Sequence, residues 1–470
     1  MNYTDLLAQQ KVLVEAHAGC GKTHTIATCV SLVQGRSLIL THTHAGVASI
    51  RAKLEKQGVD SSKYKVSTID SYVQKYVLAF YMGNDIPQQN DSSYYAFILA
   101  QAVQIFKTTP VRAIIKNSYT SLFVDEYQDC TKLQHKVIMQ LAGILKIYLF
   151  GDSLQGIFNF SNNPTVSFDT DLPEGFLRHG FILKEPYRWK EVNENLGHDI
   201  EKIRNELELG KDIDLYQYPS IRFIKVNDRE LARYPKNEVH ELITQNGELL
   251  FITPHSYNIE VRLGFASKYR MRVSVLEANT EKDFFILAQS LDTVVSNKQI
   301  ISMTKVLETI FKSSIGEWIN LQNGQIIRKR SLADQKYSRS VKEIHSQLLN
   351  DFSLNNLKCF LIEGSKLPRV KCYRKELFAD LIKSLDLAMS ERFSIYEAMC
   401  QVRNKKAVLG RTIKGRYIGT TLLTKGLEFK TVVILDAQDF KDPKNFYVAI
   451  SRAQENLIIF SSKTVLHPYS

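Results

Sequence analysis

Lys22 and Thr23 follow two glycines, Gly19 and Gly21, in the stretch VLVEAHAGCGKTHT at residues 12–25. Glycines let backbone N–H groups approach a phosphate closely, and a helix opening at Lys22 would turn the positive end of its dipole on the same anion. In that setting Lys22 reaches the β- and γ-phosphates of a nucleoside triphosphate, and Thr23 offers its hydroxyl to Mg²⁺. The pattern is A-x-x-G-x-G-K-T, with Ala16 where the general form begins on glycine. A glycine turn capping an ordinary helix is the bland reading, and the apolar run Val12, Leu13, Val14 ahead of the loop argues against it. Further along, SLFVDEYQDC sets Asp125 and Glu126 side by side behind the apolar residues 122–124. Adjacent carboxylates at a strand tip are costly unless a cation or a proton-transfer task holds them. With a phosphate loop upstream, Asp125 reads as a Mg²⁺ ligand, directly or through water, and Glu126 as the general base on an attacking water. A solvated acidic turn is the alternative.

Three more stretches carry residues of the same chemistry. GDSLQGIFNF has Asp152 and Gln155 after an apolar run, and glutamine can orient or sense a γ-phosphate. LKEPYRW has Tyr187 beside Arg188, which suits stacking on a purine and clamping a phosphate. FYVAISRAQENLIIF places Arg452 on a short helix before a final strand, where a guanidinium from a second domain can neutralise charge on a transferring phosphoryl group.

These residues need a scaffold, and the hydrophobic pattern supplies one. Short apolar runs at 12–14, 37–41, 65–68, 122–124 and 147–150 alternate with helical stretches, as in a parallel α/β sheet, whose ligands gather at the carboxyl ends of the strands. The tips THTHAG and TIDSY then present Thr43, His44, Thr68 and Asp70, suited to phosphate and sugar contacts on a single strand, or else simply to capping helices. Phe158 and Phe160, two residues apart, can offer ring faces to bases or fill a core. LLFIT at 249–253 reads as the first strand of a second α/β unit; 417–424 is strand-like, 425–428 turns, and 431–435 and 457–460 are strands. Residues 279–397 read as mainly helical, and 328–375 within them hold twelve Lys or Arg against four Asp or Glu. That segment is a candidate backbone-contacting surface or a solvated helical face.

The bulk numbers narrow the class. A chain of 470 residues has room for two to four domains, and 44% hydrophobic with 23% charged residues is globular composition. The formal charge of +12 fits a polyanionic partner such as nucleic acid. Six scattered cysteines without C-x-x-C pairs argue against a zinc site or a disulfide framework. No run of about 18 apolar residues and no leader pattern is present, so a cytoplasmic protein without a membrane partner is expected.

In this order the motifs resemble those of the UvrD/Rep branch of superfamily 1 helicases. AHAGCGKT is similar to motif I, THTHAG to Ia, TIDSY to the following DNA-contacting motif and DEYQD to motif II. GDSLQGIFNF resembles motif III, LKEPYRW motif IV, TTLLTKGLEF motif V and YVAISRA motif VI. The resemblance implies an α/β fold of two RecA-like P-loop NTPase domains, with ATP and Mg²⁺ in the cleft between them and single-stranded or tailed duplex DNA across their tops. It implies nucleotide contacts from Ala18, Gly19, Cys20, Gly21, Lys22, Thr23, His24, Tyr187 and Glu428, with Thr23 and Asp125 on the metal. Glu126, Asp125, Gln155, Arg188 and Arg452 would carry hydrolysis. Thr43, His44, Thr68, Asp70, Phe158, Phe160 and Thr420 would meet DNA, with movement 3′ to 5′.

The resemblance also sets domain limits: a first RecA-like domain over 1–180, a second over 181–270 and 405–470, and a reduced, mainly helical insertion over 271–404. The gap of about fifty residues between Ser71 and Phe123 is too short for the large accessory insertion of full-length relatives. The chain departs from the family pattern at Leu422, where motif V carries histidine, and at Ser161, where motif III carries arginine. Gln9 and Gln10 lie closer to the first strand than the family's adenine-reading glutamine. Compact members resemble the helicase-like subunits of Gabija-type anti-phage systems, which implies a nuclease partner of the OLD family. The competing expectation is a nucleotide-gated regulatory subunit that controls such a nuclease without processive unwinding.

Overall fold

The computed structural model describes all residues except 1, 88–90, 92, 159–163, 227–235, 255–258, 270–271, 277–280, 298–299, 373, 400, 403–414 and 470. The chain forms two compact units, Met1–Leu276 with Val408–Ser470, and Glu277–Ala407.

The first unit contains two parallel sheets. β1 (Lys11–Ala16), β2 (Ser37–Thr41), β3 (Tyr64–Thr68), β4 (Ser121–Val124), β5 (Lys146–Gly151) and β6 (Leu177–Leu183) line up in the order β3-β2-β4-β5-β1-β6, and every neighbouring pair is parallel. Side chains alternate across a strand, so a sheet covered on both faces needs apolar residues at every position. Leu13, Leu38, Leu40, Leu122, Val124, Ile147 and Leu149 face one core; Val12, Val14, Ile39, Phe123, Tyr148 and Phe150 face the other. The second core is closed by α1 (Tyr3–Ala8), α2 (Lys22–Leu32) and α3 (His44–Lys56). The first is closed by α4 (Ile69–Phe80), α5 (Tyr94–Ile105), α6 (Thr109–Ser118) and α7 (Lys132–Ala142).

α8 (Glu194–Glu208) and a small antiparallel pair, β7 (Ile213–Asp214) with β14 (Val465–Leu466), lie at the second sheet. That sheet comprises β8 (Ile221–Lys225), β9 (Leu249–Thr253), β10 (Ser274–Val275), β11 (Arg416–Thr420), β12 (Phe429–Ile434) and β13 (Ala453–Ser461) in the order β10-β11-β9-β12-β13-β8. It too is parallel throughout. Leu250, Ile252, Val432 and Ile434 pack with Ile200 and Ile203 of α8. Leu249, Phe251 and Val433 pack on the opposite face, against α9 (Lys236–Gln245) and α10 (Ile259–Lys268).

The second unit is helical: α11 (Glu281–Asn297), α12 (Ile300–Phe311), α13 (Leu332–Asn350), α14 (Leu354–Ser365) and α15 (Lys375–Glu391). Their core includes Phe311, Trp318, Leu348, Leu361 and Leu381. Of the basic segment, Arg328, Arg330, Lys336, Arg339 and Lys342 are exposed. Among the described residues no helix is long and apolar enough to cross a membrane.

The architecture is the expected α/β one with two parallel sheets, and it differs from the sequence reading at the edges. β6 and β8 were absent from the strand pattern because edge strands mix polar with apolar residues; LRHGFIL and IRFIK are examples. β6 pairs with β1, so the first sheet runs to Leu183, past position 180. The strand-like run at 417–424 splits: β11 ends at Thr420, and Thr421–Thr424 is one helical turn.

Candidate nucleotide site

β1 ends at Ala16, and the loop that follows turns twice through left-handed glycines, Gly19 at φ +72° and Gly21 at φ +78°. Gly21 is the N-cap of α2, whose first turn carries no acidic side chain to neutralise its positive end. β5 lies between β1 and β4, so the carboxyl ends of the three strands converge at one place. There Lys22 Nζ lies 2.5 Å from Glu126 Oε1 and 3.4 Å from Asp125 Oδ1. Glu126 sits at φ +54°, a conformation that costs a non-glycine residue about 1–3 kcal/mol and is found where function over-determines it. Gln128 Nε2 donates to Glu126 Oε2 at 2.5 Å, while its Oε1 accepts from the Asp152 N–H at 3.1 Å.

The two acids are pushed apart. Burial lifts the Asp125 carboxyl to about 6 despite Lys22. Burial also raises Glu126, but the Lys22 and Lys425 ammoniums outweigh it and hold its carboxyl at about 2. Glu126 therefore stays ionised but is a weak base while Lys22 lies against it, and handing that ammonium to a phosphate would raise its basicity toward the range a general base needs. Asp125 is 4% exposed, and its Oδ1 makes no hydrogen bond among the described residues. A buried carboxylate oxygen that makes no hydrogen bond and has the Lys22 ammonium 3.4 Å away suits a hard cation, with Thr23 on α2 as a second oxygen donor.

The second sheet reaches this point through the segment after β6 and through the turn after the helix Pro443–Ile450. The Arg188 N–H donates to the Gly19 carbonyl at 3.0 Å, and its Nη1 donates to the Ser451 carbonyl at 2.5 Å. Its Nη2 pairs with Glu428. Arg452, one residue beyond Ser451, is 3% exposed and spends its donors on the Val448 and Leu427 carbonyls and Ser451 Oγ. Burial, then the neighbouring Arg188 guanidinium, presses its pKa down to about 10. A buried guanidinium without a carboxylate partner within 4 Å among the described residues is costly, and an anion would relieve that cost. Tyr187 is half exposed, and its ring lies 3.3 Å from where a Cβ on Gly21 would stand. The expected nucleotide residues lie around this loop, and two of them turn their side chains elsewhere. His24 points toward α3, sharing a hydrogen bond with Gln57 at 2.8 Å. Cys20 is buried, its thiol pushed up to about 12 by burial, which makes it inert.

Four residues of the site escaped the sequence reading. Lys425 Nζ pairs with both oxygens of Asp129 at 2.5 and 2.6 Å and donates to the Gln155 carbonyl at 2.5 Å. Gln155 in turn donates to Asp152 Oδ2 at 2.9 Å. Asp129 and Gln128 stand inside the quoted DEYQD, and Lys425 inside TKGLEF, so opposite charges in two motifs were the available signal. Tyr447 of YVAISRA, the fourth, carried no such signal, because an aromatic in a helix reads first as core.

The expected DNA set is distributed over the strand tips. Thr43 Oγ caps α3, accepting from the Gly46 N–H at 3.0 Å. Thr68 Oγ accepts from the Ser71 N–H and donates to Ser71 Oγ. Asp70 accepts from Gln134 Nε2 at 3.0 Å, and His44 is exposed at the start of α3. Thr420 is buried at the end of β11. Phe158 has Lys425 Nζ 4.7 Å from its ring centroid and the His42 ring at 6.0 Å. Phe160 and Ser161 lie outside the described residues, and Leu422 is 36% exposed.

A sequence model of the family described as AAA domain matches residues 3–161. The chain is 23% identical to Gabija protein GajB of Bacillus cereus strain VD045, over 95% of this chain and 92% of that one. It is 26% identical to the exonuclease/helicase subunit RexA of Lactococcus lactis subsp. cremoris strain MG1363, over 33% of this chain and 13% of the relative. It is 24% identical to ATP-dependent DNA helicase PcrA of Staphylococcus aureus strain Mu50, over 33% of this chain and 20% of the relative. The chain thus spans nearly all of the first relative and a fifth or less of the other two.

Proposed function

We propose that this chain, a UvrD-like superfamily 1 protein, is an ATP-hydrolysing DNA helicase whose ATP is cleaved between its two sheets. One observation carries the reading: the phosphate loop is touched from both sides at once. Lys22 faces Asp125 and Glu126 of its own sheet, while Gly19 is joined through Arg188 and Ser451 to Arg452 of the other.

In the proposed reaction the loop amides and Lys22 hold the β- and γ-phosphates, and Tyr187 stacks on the base. Thr23 and Asp125 would hold Mg²⁺, which supplies charge neutralisation on the phosphates. Glu126, ionised, takes the proton of the attacking water while Gln128 steadies its second oxygen and Gln155 orients the nucleophile. Arg188 and Arg452 meet the charge that develops on the transferring group, where fixed donors in a dry site act most strongly. For that, Arg188 exchanges Glu428 for phosphate, and Glu428 becomes free for the nucleotide. The strand tips bearing Thr43, His44, Thr68, Asp70, Phe158 and Thr420 form the proposed single-strand track.

Glu126→Gln should retain nucleotide binding and lose turnover by at least about 100-fold, the usual worth of a general base. Wild-type turnover in that variant would remove Glu126 from the role. Strand displacement on 3′-tailed and 5′-tailed duplexes tests polarity, for which 3′ to 5′ is proposed.

Similarity to GajB along nearly the whole chain supports a second reading, a component of an anti-phage system whose nucleotide state controls an OLD-family nuclease. ATPase stimulated by single-stranded DNA without strand displacement would favour it, and co-purification of a nuclease would identify the partner.

A further inference from the structure

Three consecutive residues of the phosphate loop each meet a segment that packs in the core of the second sheet. His17 Nδ1 lies 2.9 and 3.0 Å from the two carboxylate oxygens of Glu201 on α8; an ionised carboxylate only accepts, so Nδ1 carries the proton. The Ala18 N–H donates to Tyr447 Oη at 3.0 Å, from the helix Pro443–Ile450. The Gly19 carbonyl accepts from the Arg188 N–H at 3.0 Å, and a Cβ on Gly19 would come within 2.7 Å of Trp189. α8, Trp189 and Tyr447 all pack in the core on the second sheet. Lys22 and Thr23, by contrast, open α2, which packs on the first. The first half of the loop is thus bound on both sides, since the His17 N–H also donates to the Leu183 carbonyl of β6 at 3.2 Å, whereas the second half runs into the first sheet's α2.

The His17–Glu201 pair is the one of these contacts made by two side chains, so it can be removed without touching the loop backbone. His17 is 3% exposed, and a buried hydrogen bond to a charged acceptor is among the stronger single contacts. We propose that His17 and Glu201 are positioning residues that fix the arginine-bearing sheet relative to the phosphate loop and so govern turnover rather than nucleotide affinity. Affinity comes from the loop amides, Lys22 and Tyr187, and removing this side-chain pair takes away none of them. Turnover needs Arg188 and Arg452 aligned on the phosphoryl group, and a misplacement of about 1 Å costs on the order of 100-fold in rate.

The proposal rests on the ATPase reading, and its test separates the two. Steady-state hydrolysis and equilibrium binding of a fluorescent ATP analogue are measured for wild type, Glu201→Ala, Glu201→Gln, His17→Ala and the Glu201→Ala/His17→Ala double variant. Glu201→Ala should lower kcat about tenfold with Kd changed less than about twofold. Glu201→Gln, which keeps an acceptor for Nδ1, should recover part of the loss, and the double variant should be no worse than either single one. If Glu201→Ala does not fold, Glu201→Gln and His17→Ala give the same kcat-against-Kd comparison. Unchanged kcat, affinity falling in step with kcat, or additive losses in the double variant would each overturn the pair's role. No hydrolysis by wild type would overturn the ATPase reading instead.

Discussion

Replacing Arg204 with methionine should destabilise the first unit sharply. The side chain is 1% exposed and pairs with Asp152 Oδ1 at 3.3 Å, Glu15 Oε1 at 2.9 Å and Glu208 Oε2 at 2.9 Å. Removing one partner of a buried pair costs about 3–5 kcal/mol, because the other charge is left behind. Two features place Arg204 at the low end. The Glu208 side chain is 38% exposed and contributes little, about 0.2–1 kcal/mol. Asp152, although fully buried, keeps hydrogen bonds from the Leu154 N–H at 3.2 Å and Gln155 Nε2 at 2.9 Å. The expected loss is therefore about 3 kcal/mol, or roughly 4–6 °C in Tm for a body larger than about 250 residues. Calorimetry on wild type, Arg204→Met and Arg204→Met/Asp152→Asn measures it, and the double variant should regain part of the loss because no buried charge is stranded. A shift under about 2 °C, or a double variant worse than the single one, would refute the claim that stranded charge is what Arg204 prevents.

Two further substitutions probe the loop and the link between sheets. Gly19→Ala puts a Cβ 2.7 Å from Trp189 Cζ3 on a residue at φ +72°, so backbone strain of about 1–2 kcal/mol adds to the clash; a fluorescent ATP analogue should bind at least tenfold (about 1.4 kcal/mol) more weakly, and unchanged affinity would show that the loop gives way freely. Lys425→Met leaves Asp129, 2% exposed, without its ammonium, and should cost about 3 kcal/mol in urea unfolding at unchanged m-value; an unshifted midpoint would refute the claim that this ion pair holds Asp129 in place.

What this sequence shows on its own is what its residues encode locally. A glycine loop before a helix, or paired carboxylates after an apolar strand, is chemistry contained in ten residues, so Lys22, Thr23, Asp125, Glu126, Arg188 and Arg452 were legible from type and spacing. The central strands were legible for a related reason: buried on both faces, they are uninterrupted apolar runs, as in SLFV and LLFIT. The edge strands β6 and β8 needed no such run and stayed hidden. The contacts that make a site out of the motifs were beyond reach altogether. Lys425 meets Asp129 across 296 positions, Tyr447 meets Ala18 across 429, and Glu201 meets His17 across 184. Which cation answers which carboxylate over such separations depends on the packing of α8 and the second sheet against the phosphate loop. Sequence by itself settled what groups are available; only the fold decided their partners, because a pairwise charge or hydrogen bond acts over a few ångströms and the chain carries no local record of what will be brought that close.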